Sequence, residues 1–325
     1  MPTPTIILHT ERTRGLEHIH AILKRLERGE NNRLITAQAH TNIDAISTPH
    51  EVHWIRGIGK EPGQYSTVAN LPNVYFLENG WFNPQHSFQI DTIGLNAGGS
   101  VPHSITPDSP NDMPGVLAFI ERLHGVMNVA NADAIVAGRR NYIFVPLQYE
   151  YDAQILHHSC CEARHGGRVI WAIDQICRQF PDHKIIIRPH PKVPKFVNTL
   201  RTRSKNLRRH SDVEITQIGN TYQWLKHARA VVGINSTVLT EALTFEKPVA
   251  ALGEGIFSGN GVCLECWGNA ERLREVLDYI PNGDRINQFI TLLRTRQILY
   301  STPARQLLRF PILKASIDMA YHCAQ

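Results

Sequence analysis

The chain has 325 residues, 42% of them hydrophobic and 19% charged, with a formal net charge of +5. This is an ordinary globular composition, long enough to bury a large core and to form two domains. It contains no run of 18 apolar residues, which excludes an apolar membrane-spanning helix, and the stretch from Met1 to Leu8 lacks the basic region and long apolar core of a signal peptide, so a cytoplasmic protein is expected.

Strands alternate with helices along the chain. Thr5–Leu8 reads as a short strand, and Leu16–Leu26 as a helix with apolar residues at 16, 19, 22, 23 and 26. Leu34–Ala37, Val52–Ile55 and Val74–Leu77 read as further strands. Glu78 follows the last of these, just before the turn signal Asn79-Gly80. A polar loop, Pro102–Asp112, precedes a helical stretch, Met113–Val129. The run from Gly138 to Asn141 interrupts the pattern and places a domain boundary near Ala137–Asn141, giving domains 1–138 and 139–325.

The second half opens with a strand at Tyr142–Leu147. Helix Val169–Phe180, strands Ile185–Ile187 and Val213–Ile218 and helix Tyr222–Ala228 follow. Ala230–Ile234 reads as a buried strand and Val249–Leu252 as the next. Between them Thr237–Phe245 fits a helix, with Leu239, Ala242 and Leu243 on its packed side and Ser236 as N-cap. Arg272–Ile280 and Arg285–Tyr300 read as terminal helices, one of which can cross back onto the first domain. The alternation predicts an α/β fold with a mostly parallel sheet in each of two Rossmann-like halves.

Two turns at strand carboxyl ends carry the donor-site candidates. At Asn235, Ser236 and Thr237, backbone N–H groups, small hydroxyls and the positive end of a helix meet, which is where α/β proteins hold phosphates. Glu241 lies one helical turn on, within reach of a ribose. The plain alternative is a βαβ unit whose Ser236 only caps a helix. At the second turn Arg188, His190 and Lys192 converge, with Pro189 and Pro191 ending the strand and stiffening the loop. Three potential cations there suit a diphosphate or phosphodiester.

The positive charge is unevenly placed. Residues 183–211 contain no acid but hold Lys184, Arg188, Lys192, Lys195, Arg201, Arg203, Lys205, Arg208 and Arg209. A solvated surface is the default reading of such a run. Aromatic residues are scarce between the cations, which argues against stacking on single-stranded nucleic acid. Six cysteines are present, and the single Cys263-x-x-Cys266 pair stands without a second pair or a histidine cluster. They read as reduced packing thiols rather than a zinc site.

The His190 turn, the Asn235-Ser236-Thr237 helix with its Glu241-Ala242-Leu243, and the Gly253…Gly261 tail resemble the capsule polysaccharide biosynthesis family. Two further blocks are similar to its pattern: Leu77 to Pro84, followed by Ile90 to Asn96, and Val145 to Ile155. The four blocks occur in family order across residues 70–265. Two positions depart from it: Asn83 stands where the family usually has a basic residue, and Val238-Leu239 where a glycine often follows the Ser-Thr pair.

The resemblance implies a bacterial glycosyltransferase of the two-Rossmann GT-B architecture, using CMP-Kdo (Kdo is 3-deoxy-D-manno-octulosonic acid) and a glycan or glycolipid acceptor. The donor nucleotide would sit on the second half, and the acceptor would enter from the first toward a central cleft. The family's β-Kdo members are retaining, with an aspartate as nucleophile. The matching residue is Asp152, with Glu150 as rival; a persisting strand would point both the same way. Glu78 is the second carboxylate, for proton transfer on the acceptor side. Gln148, Gly80 and Asn96 are further cleft candidates. CMP-sugars carry one phosphate, which a basic loop and a helix N-terminus can neutralise, so no metal is expected. With a membrane-linked acceptor, the basic run would make a peripheral contact with anionic lipid. The rival classes are a nucleotide-sugar epimerase or a transferase using another nucleotide sugar, and a nucleic-acid-binding protein resting on residues 184–209.

Overall fold

The computed structural model describes residues 5–9, 18–19, 21–24, 36–40, 51–57, 68, 71–161, 167–191, 193 and 196–323, with the backbone alone at 36–40, 197 and 304. By its internal contacts the chain divides into two compact units, Met1–Ser100 with Leu292–Gln325, and Val101–Thr291.

In the first unit β1 (Thr5–His9), β2 (Thr36–His40), β3 (Val52–Arg56) and β4 (Val74–Asn79) run parallel. A further strand, β5 (Ser87–Asp91), pairs antiparallel with β4. Side chains alternate across this sheet as the pleat requires. Trp54, Tyr75 and Leu77 enter the larger core, and Ile55, Val74 and Phe76 a smaller one on the opposite face.

In the second unit β6 (Tyr142–Pro146), β7 (Ile185–Arg188), β8 (Val213–Ile215), β9 (Ala228–Gly233), β10 (Val249–Ala251) and β11 (Leu264–Glu265) form one parallel sheet. Its order is β11-β10-β9-β6-β7-β8. Ile143, Val145, Ile185, Ile187, Ala230 and Val232 share one face and pack with Val169, Ile170, Ile173 and Ile176 of helix Arg168–Gln179. Each fully buried valine or isoleucine among them contributes about 1.5–3 kcal/mol. Because β7 lies on one side of β6 and β9 on the other, the strand order reverses between β6 and β9. That reversal is the topological switch point, where open α/β sheets bind ligands.

The last strand, β12 (Gln297–Leu299), returns to the first unit and pairs antiparallel with β5, giving the order β12-β5-β4-β3-β1-β2. Helix Pro311–Cys323 then packs on that sheet through Leu313, Ile317 and Ala320.

Several expectations are corrected. The boundary near residue 138 gives way to junctions at 100/101 and 291/292. Helix Met113–Val126 belongs with the second unit because its neighbours lie there: His124 Nε2 meets Thr244 Oγ1 at 3.1 Å, and the carbonyls of Met127 and Asn128 accept from Asn220 and Gln223. The first sheet is mixed, because β5 and β12 are antiparallel. The helix read over Arg285–Tyr300 ends at Arg296, and the next three residues form β12. Arg272–Ile280 is replaced by a 3-10 segment, Ala270–Leu277. Residues 18–19 and 21–24 are helical, and the rest of the Leu16–Leu26 reading lies outside the described residues.

Candidate active site

The carboxyl ends of β6 and β9 are tied by one amide pair. Gln148 Nε2 donates to Asn235 Oδ1 at 2.9 Å, and Gln148 Oε1 accepts from Asn235 N at 3.2 Å. Asn235 Nδ2 donates in turn to the carbonyls of Gln154 (2.9 Å) and His158 (3.2 Å). A side chain with only 6% exposure thus locks the loop after β9 to helix Ala153–His158.

Between Gln148 and that helix the chain makes a turn, with Asp152 N donating to Tyr149 O at 2.9 Å. The strand therefore does not persist to Asp152, and the two acidic residues serve different helices. Glu150 accepts from Arg168 N (Oε1, 2.7 Å) and Val169 N (Oε2, 2.8 Å), the open N–H groups of helix Arg168–Gln179. Gly167, at φ 129, supplies no cap there, and a Cβ on it would lie 2.7 Å from the Glu150 carboxyl carbon. Asp152 caps its own helix, with Oδ1 accepting from Gln154 N at 2.9 Å. Its Oδ2 has no partner among the described residues. Helix capping thus takes up one oxygen of Asp152 and both of Glu150.

At the β9–β10 connection, Ser236 Oγ accepts from Val238 N at 3.3 Å, capping helix Thr237–Leu243. That helix has only seven residues. Glu241 points inward, with 4% exposure, rather than toward a ligand. Burial pushes its pKa up to about 8, opposed in part by the neighbouring Tyr222 hydroxyl. A carboxyl raised in the folded state from 4.5 binds its proton more tightly there than in the unfolded chain. Its stabilising contribution is complete below pH 4.5 and is lost as pH rises through about 8. Glu241→Gln should therefore flatten the fall in melting temperature across that range. A wild-type profile identical to the variant's would show that Glu241 is not held neutral.

The second predicted turn is less concentrated than its sequence suggests. Arg188 donates from its two terminal nitrogens to the carbonyls of Ile218 (2.9 Å) and Gly219 (2.6 Å), so it braces the loop after β8. The His190 side chain is half-buried, and its carbonyl accepts from Val193 N at 3.0 Å. Lys192 lies outside the described residues.

In the first unit Glu78 sits within β4, opposite Gln89, and its Oε1 accepts from Asn79 N at 2.8 Å. Gly80 is buried, and a Cβ there would overlap Ser87 Oγ and lie 2.8 Å from the Gln297 side chain. Asn96, with φ at 50°, accepts through Oδ1 from Trp81 Nε1 (3.0 Å) and Gln89 Nε2 (3.3 Å). Gly80 and Asn96 therefore shape the loops beside Glu78.

The sequence reading missed His158 and Glu254. His158 O accepts from Glu254 N at 2.8 Å as well as from Asn235, and His158 Nδ1 lies 3.4 Å from Glu254 Oε2. The available signal was the loop Gly253-Glu254-Gly255 directly after a strand. Gly253 is required there, since a Cβ would lie 2.6 Å from the carbonyls of His158 and Ser159.

Two α/β units of this kind, one with its polar constellation at the switch point of a parallel sheet, define the GT-B class of fold. The family described as Capsule polysaccharide biosynthesis protein matches residues 120–275, which include every residue from Gln148 to Glu254. Among curated proteins, Protein FixF of Sinorhizobium fredii (strain NBRC 101917 / NGR234) is 28% identical over 225 residues, 67% of this chain and 52% of that protein. The chain thus spans about half the length of that relative. Among solved structures, the beta Kdo 2,7 transferase of Thermosulfurimonas dismutans KpsC is similar with a TM-score of 0.55 at 17% identity, covering 97% of this chain and 99% of that one. The beta Kdo 2,4 transferase of the same KpsC reaches 0.51 at 14%, covering 87% and 89%. At these identities the likeness is one of fold.

Proposed function

We propose that the protein is a retaining glycosyltransferase of capsule or lipopolysaccharide synthesis that moves Kdo from CMP-Kdo to a glycan or glycolipid. The observation that carries this reading is Asp152 at the switch point, inside the segment that matches the family, with one oxygen fixed as a cap and the other unspent. A nucleophile needs a charged carboxylate held in one orientation. The Gln154 amide fixes Oδ1, and Oδ2 is the atom to attack the anomeric carbon. An ester bond forms there as the bond to the CMP phosphate breaks, and the phosphate leaves with the electron pair. The acceptor hydroxyl then displaces the carboxylate and gives up its proton, for which Glu78 is the proposed base. Glu150 does not suit the first step, because both its oxygens are committed to helix N–H groups.

Among the described residues no helix is long and apolar enough to cross a membrane. The peripheral contact with anionic lipid is assigned to the exposed cations Arg201, Arg203, Lys205, Arg208 and Arg209 on the helices Phe196–Arg203 and Lys205–Arg209.

The donor assignment is tested by calorimetry with nucleotides alone. CMP should bind at least about tenfold more tightly than UMP or UDP, because a site that hydrogen-bonds one base leaves polar groups unpaired against another. Equal affinity for all three would remove the support for a CMP-sugar.

A further inference from the structure

We propose that His158, oriented by Glu254, is a further donor-binding residue, whose Nε2 donates a hydrogen bond to the phosphate of the donor nucleotide. The inference rests on the nucleotide-sugar reading above and deepens it. A phosphate at the switch point needs hydrogen-bond donors, and Arg188, at the end of the adjoining β7, spends both terminal nitrogens on the Ile218 and Gly219 carbonyls.

His158 sits at the last position of helix Ala153–His158, whose first turn is capped by the proposed nucleophile Asp152. Its backbone is clamped from two sides. The carbonyl accepts from Asn235 Nδ2 and from Glu254 N, so the loops after β9 and β10 both close on it. Gly253 passes so close that no side chain fits between them. The imidazole is therefore on a fixed mount, one hydrogen bond from the amide pair that spans the switch point.

The imidazole is placed to meet a ligand. Its side chain is 24% exposed and that of Glu254 47%, so both reach solvent beside the site. The 3.4 Å contact with Glu254 Oε2 engages Nδ1, which leaves Nε2 as the donor to a ligand, and Nε2 has no partner among the described residues. A carboxylate behind a histidine fixes the tautomer and ring orientation. His157, beside it on the same turn, meets His158 edge-on at 6.3 Å and is the other titratable ring at this corner.

The test compares CMP with cytidine by calorimetry on the full chain, for wild type, His158→Ala, His158→Gln and Glu254→Gln. A charge-assisted contact to phosphate predicts about a ten- to hundredfold loss of CMP affinity in both His158 variants, with cytidine binding unchanged. His158→Gln retains an amide donor toward Glu254, so it keeps the local tie while removing the Nε2 donor. Glu254→Gln should lose less, about two- to tenfold, because the imidazole remains. CMP binding at wild-type strength in His158→Gln would overturn the assignment. An equal loss of CMP and cytidine would do the same, since it would show a structural tie only. If wild type binds neither compound, the nucleotide-sugar reading fails and this assignment with it. If wild type binds CMP and the variants do too, only the His158 assignment fails.

Discussion

Asp152→Asn should reduce sugar transfer by about four orders of magnitude or more while CMP binding stays near wild type. The amide keeps the shape, and its oxygen can still accept from Gln154 N, so helix Ala153–His158 retains its cap. What disappears is the negative charge on the atom that bonds to the anomeric carbon. Glu78→Gln should also cut transfer strongly, with donor affinity little changed. Glu150→Gln makes the contrast. It leaves one acceptor for two helix N–H groups, so it should cost about 1–2 kcal/mol of stability before it touches the chemistry. Transfer assays with donor binding measured in parallel decide the matter. Substantial activity in Asp152→Asn together with none in folded Glu150→Gln would exchange their roles.

The largest loss of stability should come from Asn235→Asp, about 3–5 kcal/mol in urea unfolding. Asn235 is 6% exposed, and its Nδ2 donates to two carbonyls, Gln154 O and His158 O. A carboxylate in its place turns a double donor into a charge facing two acceptors. Asn235→Ala should lose less, about 2–3 kcal/mol, since it strands those carbonyls without adding charge. Asn235→Ala should also loosen Gln148, which then keeps only the backbone N–H of residue 235, whereas the aspartate still offers Gln148 Nε2 an acceptor. A change below about 1 kcal/mol for Asn235→Asp would mean that the carbonyls are satisfied by water and that the amide pair is not a structural lock.

The second unit was far easier to read from sequence than the first. Ile185–Ile187, Ala230–Ile234 and Val249–Leu252 are strands buried on both faces, and such strands appear as unbroken apolar runs between sharp stops. Ser236 showed itself as a cap by its place between run and helix. The short strands were hidden. Ser87–Asp91 mixes polar with apolar residues, and Gln89 and Asp91 are buried because they bond to loops rather than because they are apolar. Gln297–Leu299 continues a helical pattern, and its pairing with β5 overrides that local preference.

Within the site, Gln148, Glu150, Asp152 and Asn235 were visible as residues but not as partners. Glu150 finds its N–H groups 18 and 19 positions away, Asn235 meets Gln148 across 87, and His158 meets Glu254 across 96. Such pairs follow from which strands lie side by side, and no local pattern carries that information. Glu241 misled for a related reason. One turn into a helix it has the spacing of a ribose ligand, and only its burial in the folded chain reveals that the carboxyl faces inward.

The return of Gln297–Leu299 to the first sheet has a consequence for synthesis. The ribosome releases β5 and then the contiguous 101–291 segment before the strand that covers β5 exists. At roughly 5–20 residues per second, the intervening ~200 residues take about 10–40 s. During that interval the edge of β5 lacks its neighbour, and the space beside Gly80 awaits the Gln297 side chain, which bonds to Phe82 N and Phe82 O. An unpaired edge is what a nascent chain offers to another strand. The second unit can complete its sheet while still tethered, whereas the first must be kept from foreign pairing until its own C-terminal segment arrives.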